Sequence, residues 1–391
     1  MVLVLERSDL RQMRVESGLR GRCAYEYVVS TLDSVEELSA VAVDLLDKGG
    51  VDRVTSPTEL GQFGAGYLAH LCGVVDDALV HVAHRNKRLM KARVAEAGVA
   101  TARFVSIPNP SDGAAVASAV ASLRPPYVLK PVSGYGTVST LRFDSAEELV
   151  AAAEAFPHDP MLRSRQLIAE EFVNGTELCV EAVWANGCER AFLLHEYLTP
   201  RLNVASSDDP ASSDGSRVLR EDEHQELYAG TREIHRRINP ALGIIDGATQ
   251  MEVFRTADGR LLFSEVATRV GGGWVSDLIS AHFGRSVWAL VAEALARDDV
   301  RLGVAPHRYL AGLHIRPSVS GRLVSLPDPE AVLSRPGVVA WRCLRRVGER
   351  VRLRHPSDWC GAVIFGADSD EELERLRLEL AQELRMETEP D

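Results

Sequence analysis

The chain is poor in lysine: of its 44 basic residues only Lys48, Lys87, Lys91 and Lys130 are lysines. Where arginine serves every generic purpose, a retained lysine points to a specific task. Cysteine is sparse and scattered, with six residues (Cys23, Cys72, Cys179, Cys188, Cys343, Cys360), no CxxC and no histidine at zinc-finger spacing. Neither a disulfide framework nor a structural zinc is expected, and the thiols read as reduced and mostly core. No apolar run reaches the eighteen or so residues of a membrane span, and Glu6, Arg7 and Asp9 interrupt the start before a signal-peptide core forms. The expectation is a cytoplasmic protein with no membrane partner. Positive charge is the minority sign, and a net charge of −12 argues against nucleic acid as a partner. No GxxxxGK[ST] occurs, which excludes ordinary P-loop NTPases.

The 391 residues, 46% hydrophobic and 26% charged, have ordinary globular composition, and two to three domains are expected. Residues 1–85 alternate short apolar runs (2–5, 25–30, 51–54) with helical patterns (35–46, 60–71), the β-α rhythm of a parallel sheet. Gly64-Ala65-Gly66-Tyr67-Leu68-Ala69 matches GxGxxA but falls inside a helical pattern and lacks the acidic residue about twenty positions on, so it reads as close helix packing. A second unit opens with a capped helix from Asn86 to Gly98 and continues with strands at 127–130, 166–170, 177–184 and 191–197. Residues 199–217 are dense in Ser, Asp and Pro and predict a long mobile loop, either a lid or plain disorder. A helix at 218–238, a hairpin over 247–267 and a helix at 276–283 follow. The last ninety residues, with strands at 338–343 and 362–365 and a helix at 370–385, read as a third lobe.

The hairpin carries the most chemistry. A two-residue turn at Asp258-Gly259 makes paired positions sum to 517 and sets Glu252 opposite Glu265. Like charges directly opposite destabilise a ladder, and a bridging cation is the simplest compensation. An all-oxygen site with few protein ligands suits Mg²⁺, with Mn²⁺ as the alternative ion. Two carboxylates also suit glycoside hydrolysis, but no aromatic lining for a sugar is evident. Alternation puts Glu265, Ala267 and Arg269 on one face, and Arg269 leads into Gly271-Gly272-Gly273, where a bare backbone admits a ligand. A cation beside a guanidinium is what phosphoryl transfer requires; an ion pair between Arg269 and Glu265 is the structural alternative.

Lys130 ends a strand and precedes a loop, 131–139, in which Ser133, Gly134 and Gly136 could fold over phosphates. Lys87 follows Asn86 at a helix start, a favourable place for an anion. The acidic connector 167–177 exposes backbone groups near Phe172 and Val173 that could read an adenine edge, while Glu177 could accept from ribose hydroxyls.

The order of these pieces is distinctive: a lysine at a helix start, a lysine before a glycine-containing loop, Glu170-Glu171-Phe172-Val173-Asn174-Gly175-Thr176-Glu177, a strand Glu252, then Glu265-x-x-x-Arg269-x-Gly271-Gly272. Together they resemble the ATP-grasp superfamily over residues 86–280. The preceding lobe and the tail carrying His314-Ile315-Arg316-Pro317 resemble carboxylate–amine ligases of the L-amino-acid ligase type. The resemblance implies an α/β (α+β ATP-grasp) fold: an N-terminal Rossmann-like lobe (1–85), a two-subdomain core (86–300, with 100–175 a mobile small subdomain) and a small C-terminal α+β lobe (301–391). It implies Lys87 and Lys130 on ATP phosphates, Glu170 and the Val173 backbone on adenine, Glu177 on ribose, Glu252 and Glu265 on Mg²⁺, and Arg269 on the transferred phosphoryl group. Two departures stand out: Ala267 occupies the usual place of a metal-binding Asn, with Thr268 pointing to the other face, and Tyr135 and Val138 fill loop positions that are commonly small.

The expected activity is ATP-dependent, ADP-forming ligation of a small carboxylate, an amino acid or related acid, to an amine. Candidates for the substrate pocket are Gly271, Gly272, Trp274, Ser276, Asp277, His314 and Arg316; a core position for Trp274 and a surface ion pair for Arg316 are equally open. The rivals are a carboxylate–thiol ligase, a biotin-carboxylase-like carboxylase and a nucleotide-binding module without turnover. A homodimer is a family expectation only.

Overall fold

The computed structural model describes residues 1–9, 22–160, 162, 164–203, 214–354 and 358–389. In chain order its strands are β1 (Val2–Glu6), β2 (Tyr25–Val29), β3 (Phe104–Ile107), β4 (Tyr127–Pro131), β5 (Leu141–Phe143), β6 (Leu167–Glu171), β7 (Gly175–Ala185), β8 (Cys188–Tyr197) and β9 (Gly215–Leu219). They continue with β10 (Gly247–Thr256), β11 (Leu261–Ala267), β12 (Tyr309–Ile315), β13 (Gly321–Ser325), β14 (Val338–Cys343), β15 (Arg350–Val351), β16 (Gly361–Ala367) and β17 (Glu387–Glu389).

The first lobe pairs β1 and β2 in parallel and packs them against helices Val35–Asp47 and Gln62–Leu71. The apolar run at 51–54 forms no strand; it packs partly buried against the lobe's core without a ladder partner. The GxGxxA glycines lie inside helix Gln62–Leu71. A Cβ on Gly64 would stand 1.8 Å from the Leu32 carbonyl oxygen, and one on Gly66 2.1 Å from His81 Cβ. The motif is therefore a packing device, as its placement within a helical pattern indicates.

Two sheets build the rest. A four-stranded sheet, β3-β6-β4-β5, is backed by helices Gly113–Val120 and Ala146–Glu154, whose N-caps Asp112 and Ser145 each accept a backbone N–H. An eight-stranded sheet runs β11-β10-β7-β8-β9-β12-β16-β14. Strand β7 is the hinge of its packing. Leu178, Val180, Ala182 and Trp184 point into the core under helix Gln225–Ala241, and Val183 and Ala185 into the core under helices Val275–His282 and Val287–Ala296. Such a strand reads as an almost unbroken apolar run because both faces are covered.

Several expectations change. Residues 215–219, assigned to a loop and a helix start, form β9, and the helix begins at Gln225. Alternating Ser216, Arg217, Val218 and Leu219 pair with β8 on one side and β12 on the other. The predicted loop is thus shortened, and positions 204–213 lie outside the described residues. The C-terminal strands β12, β16 and β14 continue the eight-stranded sheet itself, while β15-β13-β17 form a small separate one. No disulfide joins any of the six cysteines, but only Cys179 and Cys360 are buried. Among the described residues no helix is long and apolar enough to cross a membrane.

Candidate active site

A cleft opens between the four-stranded sheet and the face of β7-β10-β11. Each wall follows from strand alternation. In β7 and β10 the register pairs Glu177 with Phe254, Cys179 with Glu252 and Glu181 with Gln250. Alternate positions share a face, so carboxylates 177, 181 and 252 rise from the same side, and Glu265 joins them from β11 opposite Glu252.

The facing pair arises by a different route from the one expected. The loop is Ala257-Asp258-Gly259, with Thr256 N–H donating to the Arg260 carbonyl, and pairs near the turn sum to 516. A bulge between Glu252 and Val253 on one strand, opposite Ser264 on the other, restores 517 at Glu252–Glu265. Partly withdrawn from water, the two carboxyls are driven apart in proton affinity. Burial, then Glu265 and Glu177, push Glu252 up to about 8, whereas for Glu265 burial is outweighed by Lys87 and Lys130, which hold it down to about 2. A carboxyl kept protonated beside a carboxylate is a site short of positive charge. Among the described residues no cluster of three or more His, Cys, Asp or Glu is arranged to hold a metal by itself. An ion here would share its coordination with water and ligand oxygens, as Mg²⁺ does.

The opposite wall carries the lysines. Asn86 caps helix Lys87–Glu96 by accepting from the Leu89 N–H at 3.1 Å. Lys87 then turns its Nζ to Glu265 Oε2 (3.0 Å) and to the Gly134 carbonyl (2.9 Å). Lys130 Nζ lies 3.1 Å from Glu170 Oε1. Burial opposes its charge, but Glu170 and Glu265 raise it above the usual lysine value. Gly134, Tyr135, Gly136 and Thr137 line the cleft, with Gly136 and Thr137 both at positive φ (56° and 61°). Thr137 is β-branched, so this loop conformation carries a cost of order 1–2 kcal/mol. Phe172, Val173 and Glu177 complete the lining. The Phe172 N–H donates to the Pro126 carbonyl (2.8 Å) and its ring lies under the Arg142 guanidinium. Burial raises Glu177, which accepts from the Arg201 N–H at 3.1 Å.

The cleft thus gathers Lys87, Lys130, Gly134, Gly136, Glu170, Phe172, Val173, Glu177, Glu252 and Glu265. Ser133 is turned away: its carbonyl accepts from Arg85 (2.7 Å), and it lines a second cavity against the first lobe. Arg269 is not among the residues lining the cleft; it pairs with Glu59 (Nε to Oε2, 2.6 Å), not with Glu265, and donates to Gln250 (3.0 Å). Thr268 donates to Gln62 at 2.9 Å, on the far face as alternation requires. Gly271 closes on Glu181, its N–H donating at 3.2 Å.

The remaining substrate candidates lie off the cleft. Trp274 is a core residue, 1% exposed. Ser276 is buried within its helix, where its carbonyl accepts from Ser280. His314 is stacked on Trp359 and lies 3.0 Å from Asp214. Arg316 is half-buried just beyond β12.

Sequence reading missed Lys91, Arg201, Glu59 and Arg85. Lysine scarcity flags Lys91. Nothing local flags Glu59, which joins Arg85 and Arg269 only through the fold.

Comparison with known proteins agrees with this layout. The ATP-grasp domain family matches residues 123–277, and the family described as L-amino acid ligase C-terminal domain 2 matches residues 313–389. An L-arginine-specific L-amino acid ligase of Bacillus subtilis is 23% identical over 355 residues, covering 90% of this chain and 83% of that protein. The fold is that of an L-amino acid ligase from Bacillus licheniformis (TM-score 0.70, 20% identity, 94% of this chain and 88% of the other). It is equally that of N5-carboxyaminoimidazole ribonucleotide synthetase from Thermus thermophilus (TM-score 0.67, 18% identity, 98% of each). The cleft is thus built by an ATP-grasp domain, residues 123–277, and the tail that completes its sheet, residues 313–389, matches the C-terminal domain 2 of L-amino acid ligases.

Proposed function

We propose that the cleft binds Mg-ATP and that the protein is an ADP-forming ligase joining an amino acid, through its carboxylate, to an amine. The observation that carries this reading is the half-buried Glu252–Glu265 pair facing Lys87 and Lys130 across one cleft. It supplies oxygen ligands for a hard cation and two ammonium groups for phosphates. A Mg²⁺ ion held by the two carboxylates would offset phosphate charge as the γ-phosphoryl group moves.

The chain's own groups then divide the work. Lys87 and Lys130 bind phosphate oxygens under the loop 134–137. The segment 171–173 takes the adenine edge, because the Glu170 carboxylate is engaged by lysines. Glu177 takes the ribose. A substrate carboxylate oxygen attacks the γ-phosphorus, the bond to ADP breaks, and an acyl phosphate forms. The amine attacks its carbonyl, phosphate leaves, and the amine proton passes to solvent. Arg269, fixed by Glu59 and Gln250, stabilises the charge that develops on the phosphoryl oxygens.

The test is ADP and phosphate release with Mg-ATP against a matrix of amino acids, small acids and amine or thiol acceptors, with products read by mass. A product lighter by one water than the sum of its halves supports ligation and names both. Tight Mg-ATP binding with no release across the matrix would favour a module that has lost its chemistry.

A further inference from the structure

Three of the chain's four lysines stand on one cleft, yet only Lys87 and Lys130 are given to ATP above. The third, Lys91, is 0% exposed. Its Nζ lies 3.3 Å from Glu170 Oε2 and donates to Thr101 Oγ1 at 3.1 Å. The other Glu170 oxygen, Oε1, lies 3.1 Å from Lys130 Nζ. Thr101 in turn donates to the Phe263 carbonyl at 2.9 Å. Lys91 therefore reaches from its helix to β6 of the four-stranded sheet and, through Thr101, to β11 at the edge of the eight-stranded one.

Burying an ammonium is costly unless it is paired, and an apolar residue opposite a neutral partner usually fills such a space at lower cost. The charge at 91 has no exposed surface from which to meet a ligand. What it does is hold Glu170. Lys130 lies in the field of Glu170, Glu265 and Glu252 together. If Glu170 could swing, the flexible Lys130 stem could follow the metal-site carboxylates and compete with the cation there.

We propose that Lys91 is a positioning residue of the nucleotide cleft: it fixes the Glu170 carboxylate, and Glu170 aims Lys130 at the phosphates. This rests on the reading of the cleft as a Mg-ATP site. It also accounts for a lysine kept at a fully buried position.

The experiment is a double-mutant cycle on Lys91→Met and Glu170→Gln in the full chain, with Mg-ATP affinity from calorimetry, steady-state kinetics and a thermal melt. Each single substitution is expected to weaken Mg-ATP binding about tenfold, with the double variant no weaker than the worse single. The KM for ATP should rise and kcat fall while the KM for the amino acid stays put; general loss of packing would move all three. Lys91→Arg, which keeps the charge, should bind Mg-ATP more tightly than Lys91→Met.

Additive losses in the double variant overturn the proposal, as does a folded Lys91→Met protein with wild-type affinity. If Lys91→Met does not fold, the double variant, which removes Lys91 and the carboxylate it neutralises together, is compared with Glu170→Gln. Equal affinities support the proposal and a further tenfold loss overturns it. A wild-type chain that does not bind Mg-ATP overturns the reading of the cleft and this proposal with it, whereas wild-type binding with additive variants overturns the proposal alone.

Discussion

Glu252 stands opposite Glu265 only because β11 carries one residue more than β10 at Ser264. Without the bulge the 516 register would run on, and Glu265 would fall opposite Met251, whose side chain is buried in the core beneath the sheet. A one-residue slip moves a side chain to the other face. Glu265→Ala is expected to leave a folded hairpin whose acid pair is broken, with Mg²⁺-dependent ATP binding lost. Retained Mg²⁺ dependence, measured by calorimetry with and without the ion, would sink the assignment of this pair as the metal site.

Stability should depend on pH through Glu252. Its carboxyl titrates at about 8 in the fold against 4.5 in the open chain. Between those values the folded protein binds a proton that the unfolded chain does not. Its stabilising contribution is complete below about pH 4.5 and is lost as pH rises through about 8. The apoprotein's Tm should fall across that window, the fall should be smaller in Glu252→Gln, and Mg-ATP should flatten it. A melt series for both proteins checks the difference.

Arg269 is held by three acceptors, Glu59, Gln250 and the Val270 carbonyl, a fork that an ammonium cannot reproduce. Arg269→Lys is expected to lose on the order of a hundredfold in kcat, with the affinity for ATP nearly unchanged. A fall in affinity with unchanged turnover would instead assign Arg269 to ground-state binding.

The GxGxxA segment should matter for folding and not for nucleotide. Gly64→Ala and Gly66→Ala force a methyl into backbone and into His81, and each is expected to cost about 1–3 kcal/mol of stability. Mg-ATP affinity of the folded fraction should be unchanged. A selective loss of nucleotide binding with an intact melt would reverse this reading.

The sequence shows its elements well where an apolar run, alternation or capping is strong, as in β7, β10 and helix Lys87–Glu96 respectively. It misleads where two deviations compensate. The expected two-residue turn is in fact three residues long, and the bulge at Ser264 cancels the error at the residues of interest. β9 is illegible because its five residues follow a Ser- and Asp-rich stretch, and their partners β8 and β12 lie about twenty and one hundred residues away. For Trp274 the neighbouring Gly271-Gly272-Gly273 leave pocket and core equally open; it packs under Gly312, where a Cβ would stand 2.6 Å from its ring. Charge scarcity is the better guide: it marks Lys91, which motif reading passes over.

The pairing of β9 with β12 bears on how such enzymes diversify. Ala311, Gly312 and Leu313 pair with residues 215–217, and the His314 N–H donates to the Asp214 carbonyl at 2.7 Å. The tail is thus a splint laid along β9, not an appendage hung from the sheet. Chimeras that exchange tails between relatives would have to conserve this seam, since a mismatched splint leaves β9 as a bare edge open to adventitious pairing. Drift in the tail is thereby tied to the geometry of the chain entering and leaving the cleft.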